Sequence, residues 1–378
     1  MKHKILIKIT FGLMIFLSCN SFSQTGAIPS ALSLLNINNV SAPFTNGGDM
    51  FWPQYFVPKA QSASPIFAGS IWIGGYDQNN LLHTTAMTYR QNGVDFWAGP
   101  LDTANANFTT NSSNYNKVWS IRSSTVDSFN QGLLMPSTIS DFATWPANGD
   151  QSVGEAKKLA PYFDANNDGV YNYLNGDYPQ IRGNQSLYSI FSDSSSHSET
   201  GGRAMGIEIH SMPYAFNCIQ DSAFWNTIFI HYDIINRSSN NYDSVFVTQW
   251  NDYELGNYGD DFIACDTTLE MGYLFNGNNN DPGGYLNKLP AFGTVLLNKS
   301  ISSFSSYNNS GSLFNGNPSQ TNNGMEYYNY MRGKWRNGSS IMYGGNGITG
   351  TQPTTFLFSG DPVAGTGWNM LGNLPPGD

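Results

Sequence analysis

The chain has 378 residues, of which 12% are charged and 14% are aromatic, and its formal net charge at pH 7 is −10. This aromatic content excludes a disordered chain, and an acidic chain without a basic patch argues against binding to nucleic acid or to anionic membranes. Short runs of aromatic and β-branched residues alternate with Asn, Gly, Ser and Pro clusters, which predicts a mainly β fold.

The first 23 residues have the layout of a secretory signal peptide. A basic start is followed by an apolar stretch that ends near Leu17 and then by small polar residues. We expect cleavage before Gln24, with Cys19 as an alternative, lipoprotein-type site. No later apolar run reaches the roughly 18 residues that a membrane helix needs. The sequence therefore predicts an exported chain without a membrane span after signal removal.

The clearest predicted strands lie at 66–75, 206–212, 227–236 and 244–250. Apolar and polar residues alternate with period two in the second and third of these runs, which indicates half-buried antiparallel strands of a β-sandwich. The fold class that we expect is mainly β, with antiparallel β-sandwich-like domains, long Asn/Gly-rich loops and few short helices. The helices are predicted near 137–145 and 151–160, and a long polar loop at 300–324.

Four segments follow from this pattern. They are a signal peptide (1–23), an N-terminal β-rich region (24–135), a connecting segment with a calcium-type loop (136–190) and a β-sandwich-like domain (191–378).

The stretch DANNDGVYNYLNGD, residues 164–177, reads like half of a calcium-binding loop. Alternating Asp and Asn side chains supply hard oxygens, and Gly169 allows the sharp turn. Asn175 stands where such loops usually carry Glu, so a later carboxylate has to close the shell. The predicted ligands are Asp164, Asn166, Asp168, the Val170 carbonyl, Asn172 and Asp177. The ion would be structural, and the alternative is an Asx-rich turn without metal.

A second acidic cluster follows the last predicted strand, in the stretch WNDYELGNYGDDFIACD. Carboxylates this dense repel one another unless a cation or water relieves them. The sequence leaves open a second calcium site and a solvated acidic loop. The residues concerned are Asp252, Glu254, Asp260, Asp261 and Asp266.

Two cysteines, Cys218 and Cys265, remain if the signal peptide is removed. They could form one disulfide in an oxidising compartment, but their spacing alone does not decide between a bond and two free thiols.

A catalytic site is one interpretation of two predicted strands that each carry a His and a carboxylate. If the strands pair, Glu208, His210, His231 and Asp233 could meet on one face and hold zinc or transfer protons. The alternative is that these residues form the solvated face of half-buried strands.

The nine Trp and many Tyr residues allow a further interpretation. Exposed rings on a β-sandwich stack on sugars while Asn and Asp bond the hydroxyl groups. The alternative is that the aromatic side chains mainly fill the core.

Four stretches, 66–101, 162–185, 227–266 and 327–347, give the chain a family resemblance. It resembles the large, mostly uncharacterised secreted proteins of Bacteroidota that leave the cell through the type IX secretion system. The resemblance implies a released or cell-surface protein with calcium at the two acidic loops, and it implies no activity. Such proteins usually end in a C-terminal sorting domain that engages the export machinery, and the sequence stops at Asp378 without one.

The expected function is therefore that of a secreted or cell-surface, calcium-stabilised β-rich module. It would bind an extracellular glycan or protein ligand without catalysis. The alternative is a secreted hydrolase, either a glycosidase or a metal-dependent enzyme, that uses the Glu208, His210, His231 and Asp233 patch.

Overall fold

The computed structural model describes residues 26–61, 63–89, 93–134, 139–307, 321 and 323–371. The predicted signal peptide and Cys19 lie outside these residues. The strands are β1 (Leu32–Leu35), β2 (Ala42–Thr45), β3 (Asp49–Met50), β4 (Ile66–Asp77), β5 (Leu82–Thr85), β6 (Trp97–Ala98), β7 (Trp119–Arg122), β8 (Tyr162–Phe163), β9 (Tyr178–Pro179), β10 (Gln185–Ser192), β11 (Ile207–Ala215), β12 (Phe229–Asn236), β13 (Tyr242–Tyr253), β14 (Asp261–Asp266), β15 (Met271–Asn276), β16 (Ala291–Val295), β17 (Ile341–Tyr343) and β18 (Gln352–Thr354). The α-helices are α1 (Ser123–Asn130), α2 (Ser140–Ala143), α3 (Ser222–Trp225) and α4 (Gly324–Met331).

The mainly β, antiparallel fold that the sequence predicts is confirmed. Each of the four predicted strands lies within or overlaps a strand of the structure, namely β4, β11, β12 and β13. The predicted helix at 151–160 is wrong, because only a single 3-10 turn forms, at Gln151–Val153. Gly154 follows that turn with φ of 92°, a left-handed conformation that ends it.

Two large antiparallel sheets organise the molecule. The first sheet has the order β1-β2-β3-β4-β13, with β5 also paired to β4. The second has the order β12-β11-β10-β6, with β7 also paired to β10. Three small sheets, β14-β15-β16, β17-β18 and β8-β9, are built from the remaining strands.

The two large sheets pack face to face as a sandwich. Ile71 and Ile73 of β4 belong to the same buried cluster as Ile207 and Ile209 of β11, and Phe191 of β10 completes the contact. These residues occupy alternate positions on their strands, so one face of each strand points into the shared core. Burial of each such side chain contributes about 1.5–3 kcal/mol to folding.

Both outer faces of the sandwich are covered as well. Helix α4 places Tyr327 and Tyr328 against Trp72 on the outer face of the first sheet. On the second sheet, Phe142, Trp145 and Leu159 belong to the same buried cluster as Tyr188 of β10, so the segment between 139 and 160 covers this face. The central strands are therefore buried on both faces.

The sheets do not follow the predicted division at residues 135 and 190. Strand β4, from the predicted N-terminal region, pairs along its length with β13 of the predicted C-terminal domain. Strand β10 itself spans the boundary at 190. Strand neighbours in a sandwich are often distant in sequence, so a boundary drawn from local composition can cut through a sheet. Among the described residues, no helix has both the length and the apolar character needed to cross a membrane.

Candidate functional site

A loop and a short helix between β11 and β12 build an aromatic surface. Asp221 caps α3 by accepting a hydrogen bond from Ala223 N at 2.9 Å. The buried Asn38 side chain donates to the carbonyl oxygens of Phe224 (3.2 Å) and Thr227 (2.8 Å), which anchors the end of α3 to the β1–β2 connection. These contacts fix the position of Phe224 above the sheet edge.

Four rings meet at this edge, and we call them the surface aromatic cluster: Tyr214, Phe216, Phe224 and Phe229. Tyr214 and Phe229 face each other across β11 and β12 and stack with centroids 5.2 Å apart. Phe216 lies edge-on to Phe229 at 5.8 Å and to Phe224 at 5.3 Å. Phe224 is 41% exposed. Across the described part of the chain, none of the buried hydrophobic clusters includes any of these rings.

Polar side chains flank the surface aromatic cluster. Asn217 and Gln220 are exposed in the loop before α3. His231 and Asp233 follow Phe229 on the same face of β12, and His231 Nε2 lies 3.3 Å from Asp233 Oδ1. The arrangement offers flat apolar ring faces beside amide, imidazole and carboxylate groups.

The sequence did not single out these four rings. It named the Trp residues instead, and most of those fill the core: Trp72, Trp119, Trp145, Trp250, Trp335 and Trp368 are buried. The only sequence signal for the cluster was the concentration of rings in the stretches PYAFN and SAFWNTIF, which gives no information on exposure.

The predicted pairing behind the catalytic reading is confirmed, but the four side chains do not form one site. Strands β11 and β12 are antiparallel neighbours with His210 opposite Asp233, so all four side chains share a face. Glu208 and His210 are buried and lie 2.8 Å apart, whereas His231 and Asp233 are 40% and 63% exposed. Glu208 and His210 differ from His231 and Asp233 in exposure because the segment around Leu101 lies against Glu208. Leu101 N donates to Glu208 Oε2 at 2.8 Å.

Glu208 is held as an anion. Burial alone would raise the pKa of Glu208, but hydrogen bonds from His210 and Arg237 lower it to about 2. A carboxylate with this pKa is ionised near neutral pH. In the described part of the chain, no three or more His, Cys, Asp or Glu side chains are placed to hold a metal ion. Zinc binding at this patch stays a prediction.

The 164–177 loop folds as a tight, internally bonded turn. Asp164 accepts hydrogen bonds from Asp168 N (3.2 Å) and Gly169 N (2.8 Å), and Gly169 has φ of 76°, as the predicted turn requires. Asn166 Nδ2 donates to Asp168 Oδ2 at 2.8 Å. Asp168 Oδ1 accepts from Val170 N at 2.8 Å. The side chains expected to bind calcium therefore stabilise the turn directly.

Asp177 joins the two ends of the loop. Its carboxylate is buried and accepts hydrogen bonds from Ala165 N (2.8 Å) and Asn172 N (2.7 Å). Calcium binding by Asp177 stays a prediction.

The second acidic cluster separates into different roles. Tyr89 donates to Asp252, and Asp266 caps a turn by accepting from Thr268 N (2.8 Å) and Leu269 N (3.0 Å). Asp260 and Asp261 stay together at the start of β14, and Glu254 contributes its charge there. The sequence missed Asp281, a fully buried carboxylate that joins this group from the loop between β15 and β16.

The disulfide between Cys218 and Cys265 is not formed, since both thiols are free. Cys265 is buried in β14, and its Sγ donates to the Leu357 carbonyl at 3.2 Å. Cys218 lies in the loop after β11. Cys218 therefore lies outside the sheets, whereas Cys265 belongs to the β14-β15-β16 sheet.

Two open depressions, of about 460 Å³ and 470 Å³, lie elsewhere on the surface. One is lined by residues around Lys334 and Thr355, and the other by residues around Arg203 and Met325. Neither contains a residue of the catalytic reading.

Comparison with known proteins does not add a functional assignment. No family model matches the chain, and no curated protein and no solved structure matches it.

Proposed function

We propose that the chain is a non-catalytic β-sandwich module of a secreted or cell-surface protein, and that it binds a glycan through the surface aromatic cluster. The observation that carries the proposal is the group of four partly exposed rings, Tyr214, Phe216, Phe224 and Phe229, beside exposed polar side chains. Exposed apolar groups of this kind mark interaction sites. A sugar presents an apolar C–H face to a ring and hydroxyl groups to the polar neighbours.

The size of the cluster favours a glycan over a protein. At 150–250 Å² for each aromatic side chain and at most 41% exposure, the four rings offer about 400 Å² at most. A stable protein interface needs about 800 Å² from each partner. The smaller area suits one or two sugar rings.

A hydrolase is not proposed. The buried Glu208 carboxylate is held by Arg237 and His210, whereas His231 and Asp233 form a separate, exposed pair. Export through the type IX machinery belongs to the same proposal and is supported by the resemblance of the sequence. An exported protein that begins at Gln24 in mass spectrometry would agree with it, and retention of residues 2–23 would contradict it.

Calcium at the 164–177 loop is also part of the proposal, with a smaller ligand set than the sequence predicts. Asp164, Asn166 and Asp168 would supply side-chain oxygens and Val170 its carbonyl. Such an ion would stabilise the loop without taking part in chemistry, because hard oxygen ligands and water fill the shell.

Binding to a polysaccharide panel tests the glycan proposal. The full-length chain is incubated with insoluble cellulose, chitin, xylan and mannan, and its depletion from solution is measured. Phe224→Ala should weaken binding by about tenfold, since one ring contact is worth roughly 1.4 kcal/mol. Phe163→Ala is the matched control, because Phe163 is 43% exposed, stacks on Tyr178 and is not part of the surface aromatic cluster.

Two outcomes would contradict the proposal. If the unchanged chain binds none of the polysaccharides, the module does not recognise this class of ligand. If Phe224→Ala and Phe163→Ala bind equally well, the ligand does not occupy the surface aromatic cluster.

A further inference from the structure

Two buried histidines hold the connection between β10 and β11, residues 193–206, against β5. The side chain of His197 is fully buried. Its Nδ1 lies 2.8 Å from the Thr84 carbonyl oxygen, and its Nε2 lies 3.0 Å from the Asp193 carbonyl oxygen. A carbonyl oxygen only accepts hydrogen bonds, so each ring nitrogen has to donate. A neutral imidazole has one N–H group and an imidazolium has two, so both bonds form together only when His197 is protonated.

His83 on β5 fixes the other end of this connection. Its side chain is buried, with Nδ1 2.5 Å from the Ala204 carbonyl oxygen and Nε2 3.4 Å from Asp77 Oδ2. A hydrogen bond from the backbone N–H group of Leu81 is the main cause that lowers the pKa of Asp77, so this carboxylate is ionised and only accepts. Two donated hydrogen bonds therefore require that His83 is protonated as well.

Two buried carboxylates face the charge of His197. Asp95 Oδ2 lies 3.6 Å from Nδ1, and Asp193 Oδ2 lies 3.8 Å from Nε2. Both carboxylates also bind the connection, since Asp95 Oδ1 accepts from Glu199 N at 2.9 Å. Asp193 Oδ2 accepts from Met205 N at 2.7 Å. Burial raises the pKa of Asp193, and the positive charge of His197 opposes this rise. Loss of the charge on the ring would therefore destabilise both carboxylates and the connection that they bind.

Two tyrosines from other elements also lie beside this group. The ring of Tyr242 on β13 is edge-on to His83 at 5.2 Å, and its hydroxyl donates to the Met205 carbonyl at 2.6 Å. The hydroxyl of Tyr327 on α4 donates to Glu199 at 2.7 Å. Burial raises the pKa of both tyrosines, so their hydroxyl groups stay protonated at neutral and weakly alkaline pH. The tyrosines therefore do not cause a change between pH 6 and pH 9.

We propose that His83 and His197 form a pH-sensitive latch, which holds the 193–206 connection against β5 while both rings are protonated and releases it when they are neutral. The folded chain binds the protonated rings through acceptors. This stabilisation is therefore full below about pH 6.5, where an unperturbed His titrates in an unfolded chain, and it is lost as the pH rises. The connection supplies Gly201, Gly202 and Arg203 to the depression of about 470 Å³, so its release would change the shape of this surface.

The test follows two quantities over pH 5.5 to 9 in the full-length chain. The first is the protonation of each ring, measured by NMR with ¹⁵N-labelled histidine, in which an imidazolium differs clearly from a neutral ring. The chain has five histidines, and the ring signals are assigned with His83→Gln and His197→Gln. The second is the hydrogen-exchange protection of residues 193–206, corrected for the intrinsic pH dependence of exchange. Protection should fall about tenfold or more as the rings become neutral, because each ring then loses a charged hydrogen bond. The buried strand β7 is the internal reference and should keep its protection.

His197→Gln should lower the protection of residues 193–206 at pH 5.5 towards the value of the unchanged chain at pH 9. Ser196→Gln is the matched control, because it places the same side chain at the exposed neighbouring position and should keep the pH dependence. Should His197→Gln prevent folding, His83→Gln replaces it, with the loss of protection expected around Ala204. The proposal is overturned if both rings are neutral while the connection is still protected, since a neutral ring cannot donate both hydrogen bonds. It is also overturned if protection does not change as the rings lose their protons, or if Ser196→Gln lowers it as much as the histidine substitution.

Discussion

Arg237 grips the Glu208 carboxylate with two hydrogen bonds, Nη2 to Oε1 at 2.8 Å and Nε to Oε2 at 3.2 Å. The guanidinium approaches from the turn after β12, and His210 Nε2 also lies 2.8 Å from Oε1. This bidentate geometry gives strong, charge-assisted bonds. Leu101 N donates to the same Glu208 carboxylate. The Arg237–Glu208 pair therefore attaches the segment around Leu101 to the end of β11 and β12.

Glu208→Gln should therefore change stability in a pH-dependent way. The pKa of Glu208 is about 2 in the folded chain against 4.5 for an unperturbed Glu. A lowered pKa stabilises the fold above the unfolded value, and this contribution disappears as the pH falls through the folded value. The shift corresponds to about 3 kcal/mol. The free-energy gap between wild type and Glu208→Gln in urea unfolding should be full above pH 4.5 and shrink towards pH 2.

Asp127→Asn, at an exposed carboxylate on α1, is the control for this measurement. It should give only a small gap, because Asp127 is exposed. A Glu208→Gln gap that stays constant from pH 6 to pH 3 would show that the carboxylate is not preferentially stabilised in the fold.

The contact between the first sheet and α4 gives a second prediction. Trp72 is buried, stacks on Trp250 at 5.7 Å and lies edge-on to Tyr327 at 4.8 Å. Its Nε1 donates to the Met87 carbonyl at 2.8 Å. Trp72→Ala should cost about 3–5 kcal/mol of unfolding free energy, because it leaves a large cavity. Trp72→Phe keeps a ring against Trp250 and should cost clearly less; equal costs would mean that the ring contacts contribute little.

The sequence predicted strands and their faces, but it did not predict which polar faces are buried. Alternation with period two predicted β11 and β12 and placed Glu208, His210, His231 and Asp233 on one face. It did not reveal that another segment covers Glu208 and His210. Leu101, whose backbone N–H donates to Glu208, is more than 100 positions away in the sequence. Periodicity identifies the faces of a strand, but burial of a polar face depends on long-range packing.

The candidate site was missed for a related physical reason. Aromatic side chains have the same local pattern whether they fill a core or form a surface, so the sequence named the Trp residues that the structure buries. The exposed rings Phe216, Phe224 and Phe229 come from a loop, a helix and a strand, and only the fold brings them together. Similarly, Asp281 joins Asp260 and Asp261 through the β14-β15-β16 sheet, which local spacing does not predict.

The free cysteines give a third prediction. Burial raises the pKa of the Cys265 thiol to about 12, and this thiol donates a hydrogen bond to the Leu357 carbonyl. Little of Cys265 is therefore in the thiolate form that reacts with alkylating reagents. Cys218 is partly exposed. Iodoacetamide should modify Cys218 in the native chain and Cys265 only after unfolding in urea. If neither residue reacts in urea before reduction, the two form a disulfide, which contradicts two free thiols.

The last prediction separates the two functions of carboxylates in the 164–177 loop. Asp177 is buried and bonded to Ala165 N and Asn172 N, so it should stabilise the loop whether or not calcium is bound. Asp177→Asn keeps one acceptor and loses the other, which should lower the free energy of unfolding by about 1–3 kcal/mol. This loss should be the same in calcium and in chelator.

By contrast, the combined change of Asp164 and Asp168 to Ala should remove a calcium-dependent part of the stability, about 2.7 kcal/mol when calcium exceeds its dissociation constant a hundredfold. Both series are measured by urea unfolding, with Asp127→Ala on α1 as the calcium-independent control. If the Asp164 and Asp168 variant loses equal stability in both conditions, the loop is an Asx-type turn. The carboxylates of Asp164 and Asp168 then act only through their hydrogen bonds within the loop, which come from the backbone N–H groups of Asp168, Gly169 and Val170 and from Asn166 Nδ2.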